Sequence, residues 1–316
     1  METSEIAYGR IGLLGNPSDM YGGKGISLTF DNYAAALISD ADEFSISGNG
    51  NLVDRSLYDF SENGLVKAAI HELGMQEAAK KFSIVYETHV PVGSGLAGSS
   101  AIIIATMKAL NKHLGLGLNR YQIAEAAMHA ELDRLGIAAG PQDRYIISVG
   151  GIAHMDFRGK EYLRKTDNTG IVTPLGIKKM PFFLCLGMKP KSSALVHNNL
   201  RAEFLKGGEG AKEIKEKMDK IAELADEGFQ PLLHGDWESV GRLMNENCRL
   251  RDELYPPFPA DREMVQKALE YGAYGAKLAG SGRGVVVLGD DSVLEKMVRH
   301  YPCLKPEIAR YEDTPR

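Results

Sequence analysis

The segment PVGSGLAGSSA, which starts at Pro91, combines glycines and serines immediately before a predicted helix. Free backbone N–H groups and the positive end of a helix dipole can hold a phosphate at such a place without any lysine. The segment therefore predicts a phosphate-binding loop, with a capped helix after a flexible turn as the plain structural alternative. The candidate phosphate-binding residues are Gly93, Ser94, Gly95, Leu96, Ala97, Gly98, Ser99 and Ser100.

Two common phosphate loops do not fit this segment. Its glycines match the pattern GxGxxG, but a dinucleotide-binding fold needs a strand after the helix, and a second helix is predicted there. A Walker A loop needs a lysine after its last glycine, where this chain has Ser99 and Ser100. Their hydroxyl groups can instead cap the helix or contact a metal ion.

Two carboxylates follow the loop. Helical periodicity puts Glu131 on the apolar face of a helix predicted from Asn119 to Leu135. A buried carboxylate needs a cation, which is either an arginine in a structural ion pair or Mg²⁺. Asp143 follows a Gly-Pro turn and either caps a helix or acts as a base. Because Mg²⁺ on nucleotide phosphates takes only one or two protein oxygens, a loop serine and Glu131 leave Asp143 available as the base.

Periodicity and glycine content predict the elements that position these residues. Helices are predicted over residues 61–81 and 99–115, and in the helix from Asn119 to Leu135 the pair Asn119 and Gln122 matches a capping box. The second half adds a strand at PFFLCLGM, a run of helices, and a strand pair around the turn AGSGRG. Helices and strands do not alternate strictly, so the sequence predicts an α+β fold in two layers.

The composition is that of an ordered globular chain. The 316 residues favour two domains, and 44% apolar with 25% charged residues excludes disorder and fibrous repeats. The net charge of −5 offers no general attraction to nucleic acid or anionic lipid, and no apolar run is long enough to span a bilayer. The cysteines Cys185, Cys248 and Cys303 lie far apart without metal-like spacing. We expect a cytoplasmic protein with reduced cysteines that binds neither nucleic acid nor membrane.

Three segments follow one another in the order of the GHMP kinase motifs, and the chain resembles that family over nearly its whole length. GRIGLLGNPSD is similar to the first motif, PVGSGLAGSSA to the ATP-phosphate loop, and KLAGSGRGVVV to the third motif. Ala97 and Arg283 stand where the family usually has glycine. The segments LLGNPSD, QDR followed by GGIAHMDF, VHNNLRAEF and NENCRLRDEL are most similar to the glucuronokinase branch.

The resemblance implies a two-domain GHMP kinase fold and an ATP-dependent kinase that also uses Mg²⁺. A mixed α/β N-terminal domain is expected over residues 1–175, and a ferredoxin-like α+β C-terminal domain over residues 176–316. The resemblance assigns the nucleotide phosphates to the loop of residues 93–100, hereafter the glycine loop. It assigns Mg²⁺ to Glu131 and to Ser99 or Ser100.

The resemblance also implies catalytic and sugar-binding roles. Asp143 accepts the proton of the sugar hydroxyl or orients that group, and Arg10 lies close to Asp143 and to the transferring phosphoryl group. Asn16 and Asp19 hydrogen-bond the sugar. A uronate carboxylate is best held by an arginine, and the sequence leaves four candidates open: Arg144, Arg201, Arg249 and Arg251.

The expected reaction is the phosphorylation of D-glucuronate to its 1-phosphate by ATP. The alternatives are a GHMP kinase acting on galacturonate, a heptose phosphate or a neutral hexose, and a non-catalytic relative that binds a sugar or a nucleotide. The expected partners are a small-molecule sugar and ATP, and the expected assembly is a monomer or a homodimer.

Overall fold

The computed structural model describes residues 1–48, 53–137, 140–160, 169–187 and 194–311, with only the backbone described for 194–199. The chain divides into two compact units. Unit 1 comprises Met1–Gly9, Asn32–Pro91 and Ala97–Val149, and unit 2 comprises Arg10–Asp31, Val92–Leu96 and Gly150–Arg316. Two long strands, β1 (Glu2–Leu14) and β2 (Lys24–Asp40), supply residues to both units.

Unit 1 combines sheet strands with a group of helices around α3. The second half of β2 pairs antiparallel with β4, from Ala34 opposite Thr88 to Asp40 opposite Phe82, and β3 pairs parallel with β4. The helix α3 is buried along most of its length and contacts α1, α4 and α5. The elements are β3 (Ser45–Gly48), α1 (Gly64–Glu72), α2 (Gln76–Ala79), β4 (Phe82–Thr88), α3 (Gly98–Leu114), α4 (Arg120–His129) and α5 (Gln142–Val149).

Unit 2 contains an antiparallel sheet of four strands in the order β10-β7-β9-β8. The first half of β2 also pairs antiparallel with β5, and β5 with β6. The apolar core beside the four-stranded sheet includes Phe183, Met264 and Val287. The elements are β5 (Ile152–Asp156), β6 (Ile171–Pro174), β7 (Phe182–Leu186), α6 (Ala194–Lys206), α7 (Glu209–His234), α8 (Trp237–Leu254), α9 (Pro259–Glu270), β8 (Gly275–Leu278), β9 (Gly284–Leu288), α10 (Asp291–Met297) and β10 (Cys303–Leu304).

The predicted capping box at the start of α4 is confirmed. The Asn119 side chain accepts from the backbone N–H groups of Tyr121 and Gln122, and the Gln122 side chain accepts from the backbone N–H of Asn119. After His129 the helix continues as one π-helical turn, Ala130–Arg134. Such turns widen the helix locally and frequently occur at functional sites. Glu131, the carboxylate predicted on the buried face, lies within this turn.

The predicted α+β fold class is confirmed, and the helix boundaries differ in one instructive place. The helix predicted over residues 61–81 is split into α1 and α2, because Gly74 adopts a left-handed φ of +69° just after α1.

Within the described residues, no helix is long and apolar enough to cross a membrane. The division at residues 175 and 176 stays a prediction.

Candidate active site

Residues 94 and 95 of the glycine loop lie against the turn between β8 and β9, and all of these residues belong to unit 2. A Cβ atom added to Gly95 would stand 2.7 Å from the carbonyl oxygen of Gly282, and one added to Gly284 would stand 2.7 Å from the carbonyl oxygen of Ser94. A Cβ at Gly280 would overlap the carbonyl oxygen of Gly95. Glycine is required here because the two backbones approach more closely than a side chain permits.

Arg10 connects this loop to the same turn. Its guanidinium group donates to the carbonyl oxygens of Gly95, at 2.8 Å, and Ala279, at 3.1 Å. Its backbone N–H donates to the carbonyl oxygen of Leu96 at 3.0 Å. Arg10 therefore fixes the shape of the loop in unit 2. Its predicted approach to Asp143, which belongs to unit 1, stays a prediction.

Two residues that replace the usual family glycines keep the backbone conformation of glycine. Ala97 has a φ of 59° and Arg283 a φ of 69°, a region that costs an L-residue roughly 1–2 kcal/mol. The Arg283 side chain makes contacts of its own. Its guanidinium lies 4.6 Å from the ring centroid of Phe258 and 3.4 Å from Asp261 Oδ1. Attraction to a ring face and to a carboxylate offsets part of the backbone strain at Arg283.

In unit 1, the structure brings together Ser100, Glu131 and Arg144. The Ser100 hydroxyl donates toward both carboxylate oxygens of Glu131, at 3.2 and 3.1 Å, whereas Ser99 is exposed. Glu131 is 1% exposed and forms an ion pair with Arg144, which is equally buried. Of the two alternatives for Glu131, the ion pair is therefore present in the structure. Arg144, a predicted substrate ligand, is its partner.

Asp143 is held next to this ion pair by the helix α5. It is the second residue of the helix, half-buried, and directly precedes Arg144. The helix begins at Gln142, so Asp143 is not the residue that precedes and caps it. The Arg144 guanidinium also donates to the carbonyl oxygen of Gly140 at 2.6 Å. These two contacts of Arg144 fix the first turn of α5 and, with it, the backbone of Asp143.

The turn that carries Asn16 is fixed from the inside of unit 2 by two buried side chains. Lys277 is fully buried, and its ammonium group donates to Asn16 Oδ1 at 2.6 Å and to the carbonyl oxygens of Gly12, at 3.2 Å, and Leu278, at 3.1 Å. Burial lowers the pKa of Lys277 to about 7. Asn16, a predicted sugar ligand, therefore has its side-chain oxygen engaged by a lysine.

Asn247 holds the same turn through its backbone. The side chain of Asn247, which is also fully buried, accepts from the backbone N–H of Gly15 at 2.9 Å and donates to the carbonyl oxygen of Asn16 at 3.0 Å. Both polar atoms of the Asn247 side-chain amide, the oxygen and the nitrogen, therefore hydrogen-bond to the turn. The helix α8, which carries Asn247, therefore helps to hold the turn that contains Asn16.

Asp19 lies beside a pair of tyrosines in unit 2. The hydroxyl groups of Tyr21 and Tyr255 are 3.2 Å apart. Burial raises the pKa of both tyrosines, and the negative charge of Asp19 raises them further. The positive charge of Arg201 acts on Tyr21 in the opposite direction. Asp19 and Arg201, two predicted sugar ligands, therefore lie close enough to the tyrosine pair for their charges to affect it. Both phenols remain protonated at neutral pH.

Four residues of this region were missed by the sequence analysis: Lys277, Asn247, Tyr21 and Tyr255. Three of them stand in or beside quoted motifs, since Lys277 is in KLAGSGRGVVV, Asn247 is in NENCRLRDEL, and Tyr255 follows that segment directly. The motif match was therefore an available signal. Their partners could not be named, because each contact joins segments more than two hundred residues apart in sequence.

Comparison with known proteins identifies the family. The model of the GHMP kinases N terminal domain matches residues 64–151, and that of the GHMP kinases C terminal domain matches residues 229–304. A protein of Arabidopsis thaliana named probable glucuronokinase 2 is 32% identical over 334 residues, which cover 95% of this chain and 87% of that protein. The chain belongs to the GHMP kinases. As a GHMP kinase it is a phosphotransferase, as the sequence predicted.

Two further similarities agree with this assignment. Glucuronokinase 1 of Arabidopsis thaliana is 31% identical to this GHMP kinase over 325 residues, covering 95% of the chain and 88% of that protein. The crystal structure of Lactococcus lactis galactokinase complexed with galactose has a TM-score of 0.80 at 16% identity, and covers 97% of this chain and 93% of that one. At that identity the structural likeness shows the fold alone.

We predict that Lys277→Met removes a pH dependence of stability. The pKa of Lys277 is lowered to about 7 in the folded protein, against about 10.4 in an unfolded chain. Between these values the unfolded state binds more protons, so the free energy of unfolding of the native protein rises with pH. Urea unfolding at pH 7, 8 and 9 measures the difference between the native protein and the variant. From pH 7 to pH 9, the free energy of unfolding of the native protein is expected to rise by roughly 1–3 kcal/mol relative to that of the variant.

The comparison isolates Lys277 because all other titrating groups are present in both proteins. Lys108, whose pKa burial lowers to about 8, is one such group. Exposed Lys305 provides a matched control, since Lys305→Met leaves the pH dependence unchanged. Parallel stability curves for the native protein and Lys277→Met would show that Lys277 does not titrate in this window.

Proposed function

We propose that this GHMP kinase transfers the γ-phosphoryl group of ATP to the anomeric oxygen of D-glucuronate and releases the 1-phosphate and ADP. The similarity to two glucuronokinases, each across 95% of the chain, carries the proposal. The glycine loop, the buried serine–carboxylate contact and the aspartate next to it support the phosphoryl-transfer part. The positive charge of Arg201 beside Tyr21 supports an anionic sugar.

The residues around Glu131 fit a magnesium ion bound together with nucleotide phosphates. Ser100 Oγ and the Glu131 carboxylate are adjacent oxygen donors, which is the ligand type and number that Mg²⁺ takes from a protein in such sites. A carboxylate has about four lone-pair positions, so the contact with Arg144 leaves Glu131 able to accept a metal. When bound, Mg²⁺ neutralises charge on the phosphate oxygens.

The chain's own residues supply positioning and charge. Phosphoryl transfer has a loose transition state with its charge spread over the phosphate oxygens, so catalysis depends on alignment and electrostatic stabilisation. The N-terminus of α3, at Gly98, offers N–H groups to the phosphates. In the proposal, Asp143 orients the attacking hydroxyl and accepts its proton, and Arg10 keeps the loop in shape and lies near the transferring group.

Arg201 is the arginine best placed to bind the carboxylate of the sugar. Arg144 is paired with Glu131, and Arg249 is on the surface between Glu246 and Glu253. Arg251 is buried against Tyr255. Within the part of the chain that the structure describes, Arg201 forms no ion pair, and its charge acts on Tyr21.

The remaining proposals concern organisation and surroundings. Asn16 and Asp19 are proposed to face the sugar, with Asn16 contributing the groups that Lys277 does not occupy. The two segments 1–175 and 176–316 are proposed as the domains, the cytoplasm as the compartment, and a monomer or homodimer as the assembly.

The test is ADP release with Mg-ATP across a panel of sugars. The panel contains glucuronate, galacturonate, glucose, galactose, mannose and a heptose phosphate. We expect kcat/KM for glucuronate to exceed that for the neutral hexoses by at least roughly a hundredfold, because a site that hydrogen-bonds the carboxylate of a substrate rejects an analogue that lacks it. Turnover restricted to another sugar would keep the kinase and discard glucuronate. Sugar binding without turnover of any sugar would favour a non-catalytic role.

We predict that Asp143→Asn lowers kcat by roughly 10²–10⁴-fold, the range for a positioned acid or base. The amide keeps the size of the side chain but cannot accept the proton. Steady-state kinetics with the preferred sugar measures the effect, and the KM for ATP is expected to change little. Near-native turnover would remove Asp143 from the mechanism.

We predict that Glu131→Gln raises the free Mg²⁺ concentration for half-maximal rate by at least roughly tenfold. Ser100→Ala, which leaves the ion pair with Arg144 intact, is expected to raise it less. Initial rates over a Mg²⁺ titration at fixed ATP measure both. If Glu131 serves only the ion pair, Glu131→Gln lowers the unfolding temperature while the Mg²⁺ dependence stays native.

We predict that Arg201→Met raises the KM for glucuronate by roughly 10–100-fold, because a charge-assisted hydrogen bond contributes about 1.5–3 kcal/mol. The KM for ATP is expected to stay within about twofold. Arg249→Met is the matched control, since Arg249 is bound to surface glutamates. A preference for glucuronate over glucose that survives Arg201→Met would place the carboxylate elsewhere.

A further inference from the structure

Two cysteines that are distant in sequence face each other in the four-stranded sheet of unit 2. Cys185 in β7 and Cys303 in β10 are direct partners in the antiparallel register. Their sulfur atoms are 3.0 Å apart. Cys185 and Cys303, which are far apart in sequence, are therefore adjacent in the fold.

The strand register places this pair where a covalent bond between the sulfurs needs little movement. The backbone N–H of Leu186 donates to the carbonyl oxygen of Pro302 at 2.8 Å, so Leu186 and Pro302 form the hydrogen-bonded pair. The next pair, Cys185 and Cys303, is then a non-hydrogen-bonded one, in which the Cα atoms are about 4.5 Å apart. Disulfides span Cα distances of about 4.4–6.8 Å. A disulfide needs the sulfurs to approach by only about 1 Å more.

We propose that Cys185 and Cys303 form a reversible disulfide between β7 and β10 when the folded protein meets a hydroperoxide. Cys303 is partly exposed, whereas Cys185 is fully buried. The oxidant therefore reaches Cys303 first, and Cys185 is the resolving thiol. The hydrogen bond from the Cys185 thiol lowers the pKa of Cys303, which favours the thiolate that attacks a peroxide.

The reaction balances in two steps. The Cys303 thiolate attacks one peroxide oxygen, so that an S–O bond forms, the O–O bond breaks, and the leaving hydroxide takes up the thiol proton as water. The sulfur of Cys185 then attacks the sulfenic acid on Cys303. The S–S bond forms, the S–O bond breaks, and the second hydroxide leaves as water with the proton of Cys185. Two thiols and one hydrogen peroxide give one disulfide and two waters.

The bond would tie down the outer strand of the sheet. β10 has two residues and lies at the edge of the sheet next to β7. The segment enclosed between Cys185 and Cys303 contains α6 to α10, β8 and β9. A cross-link that closes so long a loop restricts the unfolded chain more than the folded one. Oxidation is therefore expected to raise the unfolding temperature by several degrees.

The first test counts thiols in the whole protein. Reduced protein, freed of reductant, is treated with hydrogen peroxide while folded, blocked in denaturant with an alkylating reagent, and compared with an untreated sample. We expect three free thiols to fall to one, and dithiothreitol to restore three. After trypsin treatment, a peptide of residues 180–191 is expected to be linked to one of residues 300–310, two hydrogen masses below the sum of the free peptides.

Variants separate this pair from the third cysteine. Cys248→Ser is expected to go from two free thiols to none, with the same rise in unfolding temperature. Cys303→Ser is expected to keep both of its thiols and to show no rise. If Cys303→Ser does not fold, the linked peptides of the native protein decide alone. Three remaining thiols, a sulfinic acid on Cys303 beside a free Cys185, or a link that includes Cys248 would overturn the proposal.

Discussion

A carboxylate that water cannot reach is the constraint on which the helical part of the candidate site depends. Glu131 is 1% exposed, and an isolated charge so deeply buried would be several kcal/mol unfavourable. Arg144 and Ser100 remove that cost by an ion pair and a hydrogen bond. The same two contacts tie α5 and the start of α3 to the π-helical turn after α4. The backbone next to Asp143 is thereby set relative to the serine at the start of α3, and losing one partner would expose the whole arrangement to an unpaired buried charge.

The distance in sequence between interacting residues decides which parts of the fold and of the candidate site could be predicted. The capping box at Asn119 and the buried position of Glu131 were predictable, because they depend on residues three or four positions apart on one helix. The partner of Glu131 was left open between arginine and a metal, since periodicity shows that a cation is needed and not which one. The strands β6 and β10 were missed because they are short and acquire their pairing only from the folded sheet.

The structure explains why several positions of the glycine-rich motifs require glycine. Gly95, Gly280 and Gly284 are required because two backbone turns lie against each other within unit 2. Ala97 and Arg283 show that the pattern records a conformation as well as a residue type, since both retain a left-handed φ without being glycine. A departure from the motif is therefore tolerated where the backbone keeps its path and the side chain has space.

The distribution of charge inside unit 2 differs from that of the chain as a whole. The chain carries a net charge of −5, yet Arg10, Lys277 and Arg251 are buried and lie close enough for the two arginines to lower the pKa of the lysine. Holding several cations in a low-dielectric interior is costly unless they face an anion or many oxygen atoms. Lys277 is satisfied by three oxygen atoms of the protein. Two carboxylates offset part of this positive charge, since Asp252 lies 3.5 Å from Arg251 and the buried Asp261 also acts on that arginine. The net charge of the chain gives no indication of this arrangement of buried charges.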